Sequence, residues 1–227
     1  MSTTEDFLNL CKELEQVVEA RYGRHQSAYH TIMRMQEYRK YWQDIDVIRE
    51  IRNLYQHNVV EVEGREAMRV TQDTCDTLRK IINLIQNPPL IRDVYTRNVV
   101  FASVTETIDT VTRRMYNKKV AHVPILDERK RLIGVFSKTT LFQIIMGGQE
   151  LSSLRDHMLK EFEVETDIRN HQSESFGFIG LNSLKDEALK RFGKVYENDK
   201  RLVALYVTEH GKPSEAVLGV VTPWDIL

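Results

Sequence analysis

The feature that most constrains this chain is an internal repeat. Two short marks, Ile91-Arg92-Asp93-Val94 and Gly134-Val135-Phe136-Ser137-Lys138-Thr139-Thr140, return as Leu154-Arg155-Asp156-His157-Met158 and Gly219-Val220-Val221-Thr222-Pro223-Trp224-Asp225. Between the first marks lie a β-prone run, Val99–Val104, a helix-like segment, Thr107–Val120, and two apolar runs, Val123–Leu126 and Leu132–Phe136, around the polar turn Asp127–Arg131. The same order returns as Phe176–Leu181, Leu184–Val195, Leu202–Val207 and Ala216–Val221, with helix expected at Leu141–Met146 and again from Thr222. Such alternation implies a β-α-β-β-α unit present twice. The second copy is the longer, with extra residues in the polar stretch Glu161–Ser175 and around Glu209–Ser214.

Upstream the pattern is different. Phe7, Cys11, Leu14, Val18 and Tyr22 recur at steps of three and four, which places them on one helical face. Thr3 and Asp6 suit a capping box before that face. A second helix is expected to carry Ala28, Ile32, Met35 and Trp42, a third Ile45, Ile48, Ile51 and Tyr55, and, after a turn at Glu63-Gly64, a fourth Val70, Leu78, Ile81, Ile82 and Ile85. Asn87-Pro88-Pro89 closes the region, since proline cannot continue a helix. The expected fold is therefore α plus α/β: an N-terminal four-helix bundle at residues 1–87, then repeat copies at 91–149 and 150–227.

Composition narrows the function classes. A net charge of -1 leaves no bulk attraction for nucleic acid or an anionic membrane, so any such role needs a local site. The two cysteines, Cys11 and Cys75, sit on apolar helix faces and suit buried thiols in a reducing compartment, and no Cys/His cluster suggests a metal. The first ten residues are polar and acidic rather than an apolar leader, and no apolar run is long enough to cross a membrane. A cytoplasmic location with no membrane contact is expected.

The Arg-Asp lead-in, the strand carrying His122-Val123-Pro124 and the strand ending in Gly-Val-x-Ser/Thr, in this order and twice over, resemble a tandem pair of CBS domains, also called a Bateman module, over residues 91–227. The resemblance implies a cleft that takes an adenine nucleotide or a related effector, with no other cofactor required. It implies a Thr/Ser-x-x-Asp motif in which the hydroxyl meets phosphate and the aspartate accepts from the ribose. The second copy has that motif as Thr222 and Asp225; the first has Ser137 but Thr140 in place of the acid, and a threonine cannot offer two charged acceptor oxygens. One competent site is expected, at Thr222 and Asp225. The family's base-holding strands correspond to Phe178, Ile179, Gly180, Leu205 and Tyr206 for that site and to Ala102, Ser103, Val123 and Pro124 for the other, with His122 or Lys138 available to phosphate. The same Thr-x-x-Asp start is also an ordinary helix cap, so a purely structural pair stays open.

At the end of the third expected helix, Arg52-Asn53-Leu54-Tyr55-Gln56-His57 resembles the Arg-x4-His motif of HEPN domains, which are helical bundles that work as dimers. The resemblance implies metal-independent RNA cleavage by a homodimer, with Arg52, Asn53 and His57 as the site. The chemistry is consistent: a histidine can take a proton from a ribose 2′-hydroxyl, and an arginine can pair with the phosphate. The alternative is a non-catalytic bundle used for dimerisation or partner docking beneath a nucleotide sensor, with Arg52 paired to a carboxylate.

Overall fold

The computed structural model describes residues 3–24, 27–57, 61–62, 65–66, 68–150, 152–194 and 200–226. The chain divides into two compact units, Met1–Pro88 and Pro89–Leu227.

In the first unit, α1 (Thr3–Tyr22) buries Phe7, Leu10, Cys11, Leu14 and Val18. It ends at Gly23, whose φ of +84° is a conformation that costs a glycine little. The expected second helix is broken. It becomes α2 (Ala28–Met33), capped by Ser27, followed by an extended Met35 and a 3₁₀ turn, Gln36–Tyr41. Neither proline nor glycine marks that break. It turns Tyr38 into the core, where its hydroxyl meets that of Tyr22 at 2.6 Å. Helix α3 (Trp42–His57) buries Ile45 and Ile48. The expected turn residues Glu63 and Gly64 lie outside the described residues; on either side, β1 (Glu61–Val62) and β2 (Arg65–Glu66) form a minimal hairpin. Helix α4 (Gln72–Gln86), capped by Thr71, packs on α1 and buries Cys75, Leu78, Ile81, Ile82 and Ile85. Val70 is buried just before this helix rather than within it.

The second unit contains both copies. Copy one is α5 (Ile108–Lys118), the antiparallel pair β3 (His122–Leu126) and β4 (Leu132–Ser137), and α6 (Lys138–Met146). Copy two follows a short helix α7 (Glu163–Thr166) and runs β5 (Glu174–Gly180), α8 (Lys185–Gly193), β6 (Arg201–Thr208), β7 (Gly219–Val221) and α9 (Pro223–Ile226). Its sheet order is β5-β6-β7, with β5 and β6 parallel and β6 and β7 antiparallel. In copy one the expected strand Val99–Val104 is reduced to a parallel bridge from Ala102 to Ile125, held by Ala102 N–H to the Pro124 carbonyl and Leu126 N–H to the Ala102 carbonyl, each 2.9 Å. The copies still share a contact: Arg114 donates to the Phe101 carbonyl and Arg191 to the Phe178 carbonyl, both at 2.6 Å, each from the copy's first helix to the residue before its Ala102 or Ile179.

The lead-in marks cross. Ile91 is fully buried in the core of copy two with Ile179, Leu205 and Val207, while Leu154, Leu159 and Phe162 are buried in the core of copy one. Backbone bonds fix the exchange: Ile91 N–H to the Ser183 carbonyl and Arg92 N–H to Leu181, against Leu159 N–H to Glu106 and Lys160 N–H to Val104. Each copy's core is thus completed by the other's lead-in.

Candidate functional site

The crossing continues past the lead-in and brings the repeat motifs together. Thr96 extends the sheet of copy two, exchanging backbone bonds with Val220 at 2.9 and 3.0 Å. That places the Thr96 hydroxyl on Oδ1 of Asp225 at 3.0 Å. The other carboxylate oxygen, Oδ2, accepts from both the N–H and the hydroxyl of Thr222 at 2.7 Å. Asp225 therefore closes the start of α9 and ties the two copies together through one side chain.

Beside this motif lies a cleft of about 590 Å³. Thr222, Pro223 and Trp224 form one wall, Val99, Val100 and Pro124 of copy one form an apolar wall, and the cations Lys119 and Arg201 also line it. Lys119 ends α5 in the left-handed conformation, φ 55°, a position that glycine usually takes. Trp224 is 89% exposed, an indole held out in water at the mouth of the cleft.

Of the residues expected at this site, Thr222, Tyr206 and His122 line the cleft. Asp225, Phe178, Ile179, Gly180 and Leu205 do not: Asp225 stands behind Thr222 as its bonding partner, Ile179 and Leu205 are in the core of copy two, Gly180 is buried at the end of β5, and Phe178 lies against Tyr206 with ring centroids 6.3 Å apart. The physical reason is the crossing, which puts the Thr96–Val100 segment of copy one where strands of the same copy were expected. Thr96, Lys119 and Arg201 went unrecognised in the sequence. The one available signal was that Thr96 lies two residues past the end of the Arg-Asp mark.

The corresponding place in copy one is built differently. Ser137 and Thr140 are fully buried and cap each other: the Thr140 N–H donates to the Ser137 hydroxyl at 3.1 Å and the Ser137 N–H to the Thr140 hydroxyl at 3.2 Å. Glu174, the first residue of β5, reaches across to them. Its carboxylate accepts from the Ser137 hydroxyl at 2.9 Å and the Thr139 hydroxyl at 3.1 Å, and pairs with His122 Nε2 at 3.0 Å. Burial alone would raise the carboxyl, but its partners His122, His171 and Ser137 outweigh burial and hold it well below the usual carboxylate range. Ala102, Val123 and Pro124 are buried nearby in copy one, Ser103 is half-buried, and Lys138 is exposed.

In the first unit, Arg52 donates to Oε1 of Glu15 on α1 at 2.7 Å, with side-chain exposures of 24% and 37%. The two line a recess of about 260 Å³ with Glu19, Arg24, Ser27 and Tyr29. Asn53 is half-buried, and the side chain of His57 lies outside the described residues. Cys11, nearby, has its thiol pushed up to about 11 by burial, so it remains protonated and apolar. Among the described residues no cluster of metal-ligating side chains is present, and no helix is long and apolar enough to cross a membrane.

Comparison with known proteins bears on the second unit. L-aspartate semialdehyde sulfurtransferase of Methanocaldococcus jannaschii is 30% identical over 64 residues, which is 28% of this chain and 13% of that enzyme. Among solved structures, the AcuB protein of Vibrio cholerae, named for acetoin utilization, matches 61% of this chain and 87% of its own at 19% identity and a TM-score of 0.47. The CBS domain pair of protein MJ0100, solved with 5′-methylthioadenosine and S-adenosyl-L-methionine, matches 61% of this chain and 93% of its own at 15% identity and a TM-score of 0.43. The family model of the CBS domain matches residues 91–147, within copy one, and so the chain carries a CBS domain there.

Proposed function

We propose that the second unit is a tandem CBS pair, with copies at 91–149 and 150–227, that holds one adenine-type nucleotide in the cleft at Thr222 and Asp225. The observation that carries this reading is the make-up of the cleft: the Thr222 hydroxyl at one end, with the Asp225 carboxylate bonded behind it, two cations, and an apolar wall. Val99, Val100 and Pro124 suit a flat base, and Lys119 and Arg201 suit phosphate. A carboxylate has about four acceptor positions. Asp225 uses three of them, and the bond from Thr96 is the one a ribose hydroxyl displaces. The test is thermal melting of the whole chain against AMP, ADP, ATP and S-adenosylmethionine, with Asp225→Asn beside the parent. A ligand that binds only the folded protein raises its melting point, by about 2.7 kcal/mol of stability at a hundred times its Kd. A shift in the parent that the variant lacks supports the site; equal shifts in both remove Asp225 from it.

The first unit is proposed to be a HEPN-like bundle that the nucleotide regulates, acting as a homodimer on RNA in the cytoplasm through Arg52, Asn53 and His57. One observation favours the non-catalytic version: Arg52 is already engaged by Glu15. In that version the bundle serves dimerisation or partner docking beneath the sensor. RNA cleavage by the purified parent, lost in both Arg52→Ala and His57→Ala, decides for catalysis; cleavage unchanged in His57→Ala decides against it.

A further inference from the structure

The two clefts of the repeat are not equivalent, and the difference lies in one short segment. The matching bridges Ala102 to Ile125 and Ile179 to Val207, together with the paired Arg114 and Arg191 bonds, set Phe176 of copy two opposite Val99 of copy one. Val99 leaves the cleft beside Thr222 open. On the other side, Phe176 fills space: its ring stacks on Tyr206 at 6.2 Å and meets the rings of His122 and His171 edge-on at 5.8 and 4.9 Å. His171 is fully buried, and among the described residues neither of its ring nitrogens has a hydrogen-bond partner, although Nδ1 lies 3.5 Å from Glu174 Oε2. A buried imidazole left in that state faces charge rather than solvent, and the charge before it is the Glu174 carboxylate.

We propose that the seat beside Ser137 is an anion-binding site that the chain fills itself: the Glu174 carboxylate, held by the hydroxyls of Ser137 and Thr139 and by His122, with His171 behind it, is a built-in ligand. The acid that position 140 lacks is returned from the other copy. At Thr222, a threonine hydroxyl crosses from copy one to the resident acid; at Ser137, an acid crosses from copy two to the resident hydroxyl. Donor and acceptor have changed sides, and the join between the copies survives. The chain then takes one external ligand instead of two, and the second place is used to lock the repeat. This rests on the proposed reading of the Thr222 cleft only for the count of ligands; the seat itself is defined by the Glu174 contacts.

The experiment is chemical rescue. In Glu174→Ala the lost atoms leave room for a small carboxylate, so the probe is sodium acetate compared with sodium chloride at equal ionic strength. Glu174→Ala is expected to melt about 5 °C or more below the parent, and acetate is expected to restore at least half of the loss, saturably. The parent and Glu174→Gln, whose amide refills the seat, are expected to show no acetate response beyond that of chloride. A Glu174→Ala protein that melts within 1 °C of the parent, or that acetate stabilises no better than chloride, overturns the proposal. Should Glu174→Ala fail to fold, Glu174→Gln decides: a clear fall in melting point is expected from losing the charge, and an unchanged one refutes the seat. Nucleotide response read in Asp225→Asn keeps the two clefts apart, because its loss leaves acetate rescue in the Glu174→Ala, Asp225→Asn double variant intact.

Discussion

Replacing Gly219 by alanine tests the crossing that builds the cleft. Gly219 is buried at the start of β7, opposite Val207 of β6. A Cβ there would overlap the Thr96 carbonyl oxygen and the edge of the Tyr95 ring, with Cε2 at 2.7 Å. One of the two obstacles is backbone, so no change of rotamer alone relieves the overlap. Two routes are open. If the Tyr95–Thr96 segment stays, overpacking costs about 1–3 kcal/mol, at the upper end because the carbonyl is rigid. If it retreats, the two backbone bonds between Thr96 and Val220 and the hydroxyl bond to Asp225 weaken, each worth about 1 kcal/mol. Either route comes to about 3 kcal/mol, or roughly 6–12 °C in Tm for a chain of this size. Gly193→Ala is the matched control. It ends α8, none of the described residues lies within 4 Å of its Cβ, and its φ is not positive. The same chemical change there is expected to raise stability by about 0.4–1 kcal/mol through the unfolded chain. Thermal melts of the two variants read the difference directly, and Gly219→Ala is expected also to lose its nucleotide response as Thr96 leaves Asp225. Equal melting points for the two variants, or Gly219→Ala within 1 °C of the parent, would refute the close approach.

Two further outcomes are expected. Glu174 is held below its unfolded carboxylate value, so its stabilisation is present above about pH 4.3 and is lost as pH falls through its lower folded value; in melts from pH 7 to pH 3 the gap between the parent and Glu174→Gln should be widest near neutrality and narrow on acidification, and a constant gap would refute the charge-paired seat. Asp225→Ala removes three hydrogen bonds from a half-buried acid, an expected cost of about 2 kcal/mol from the lost cap and the charged acceptor, measurable by urea titration without any ligand; a change under about 0.5 kcal/mol would show the cap to be idle.

The sequence was most legible where local chemistry decides structure. The step-of-three-and-four pattern from Phe7 to Val18 placed the buried face of α1 correctly, because burial on one helical face imposes that spacing whatever the helix packs against. Ser137 and Thr222 were placed at helix starts because the strand-to-helix turn and its cap lie within four residues of sequence. The break at Met35 was invisible, since it contains no proline or glycine and depends on Tyr38 finding Tyr22 in the core. The Val99–Val104 strand was overread for a related reason: β-prone residues state a preference, and only a partner strand turns it into a ladder.

The cleft was half legible, and the missing half has one cause. Thr140 in place of an acid was plain from the aligned motifs, and from it came the expectation of a single competent site. What local comparison could not supply was the exchange of lead-ins, which sends Thr96 to Asp225 across 129 residues and Glu174 to Ser137 across 37. A motif reports the residues that must stand next to one another in the chain; the partners of its side chains are set by which element crosses over it. Glu174 lies in the polar stretch that looked like mere extra length in copy two, yet that stretch carries His171 and Glu174, which meet the Ser137 cleft together with Phe176 just beyond it. The side chains that meet Ser137 come from the other copy, so what stands beside Thr140 can be interpreted only once the fold has put β5 next to it.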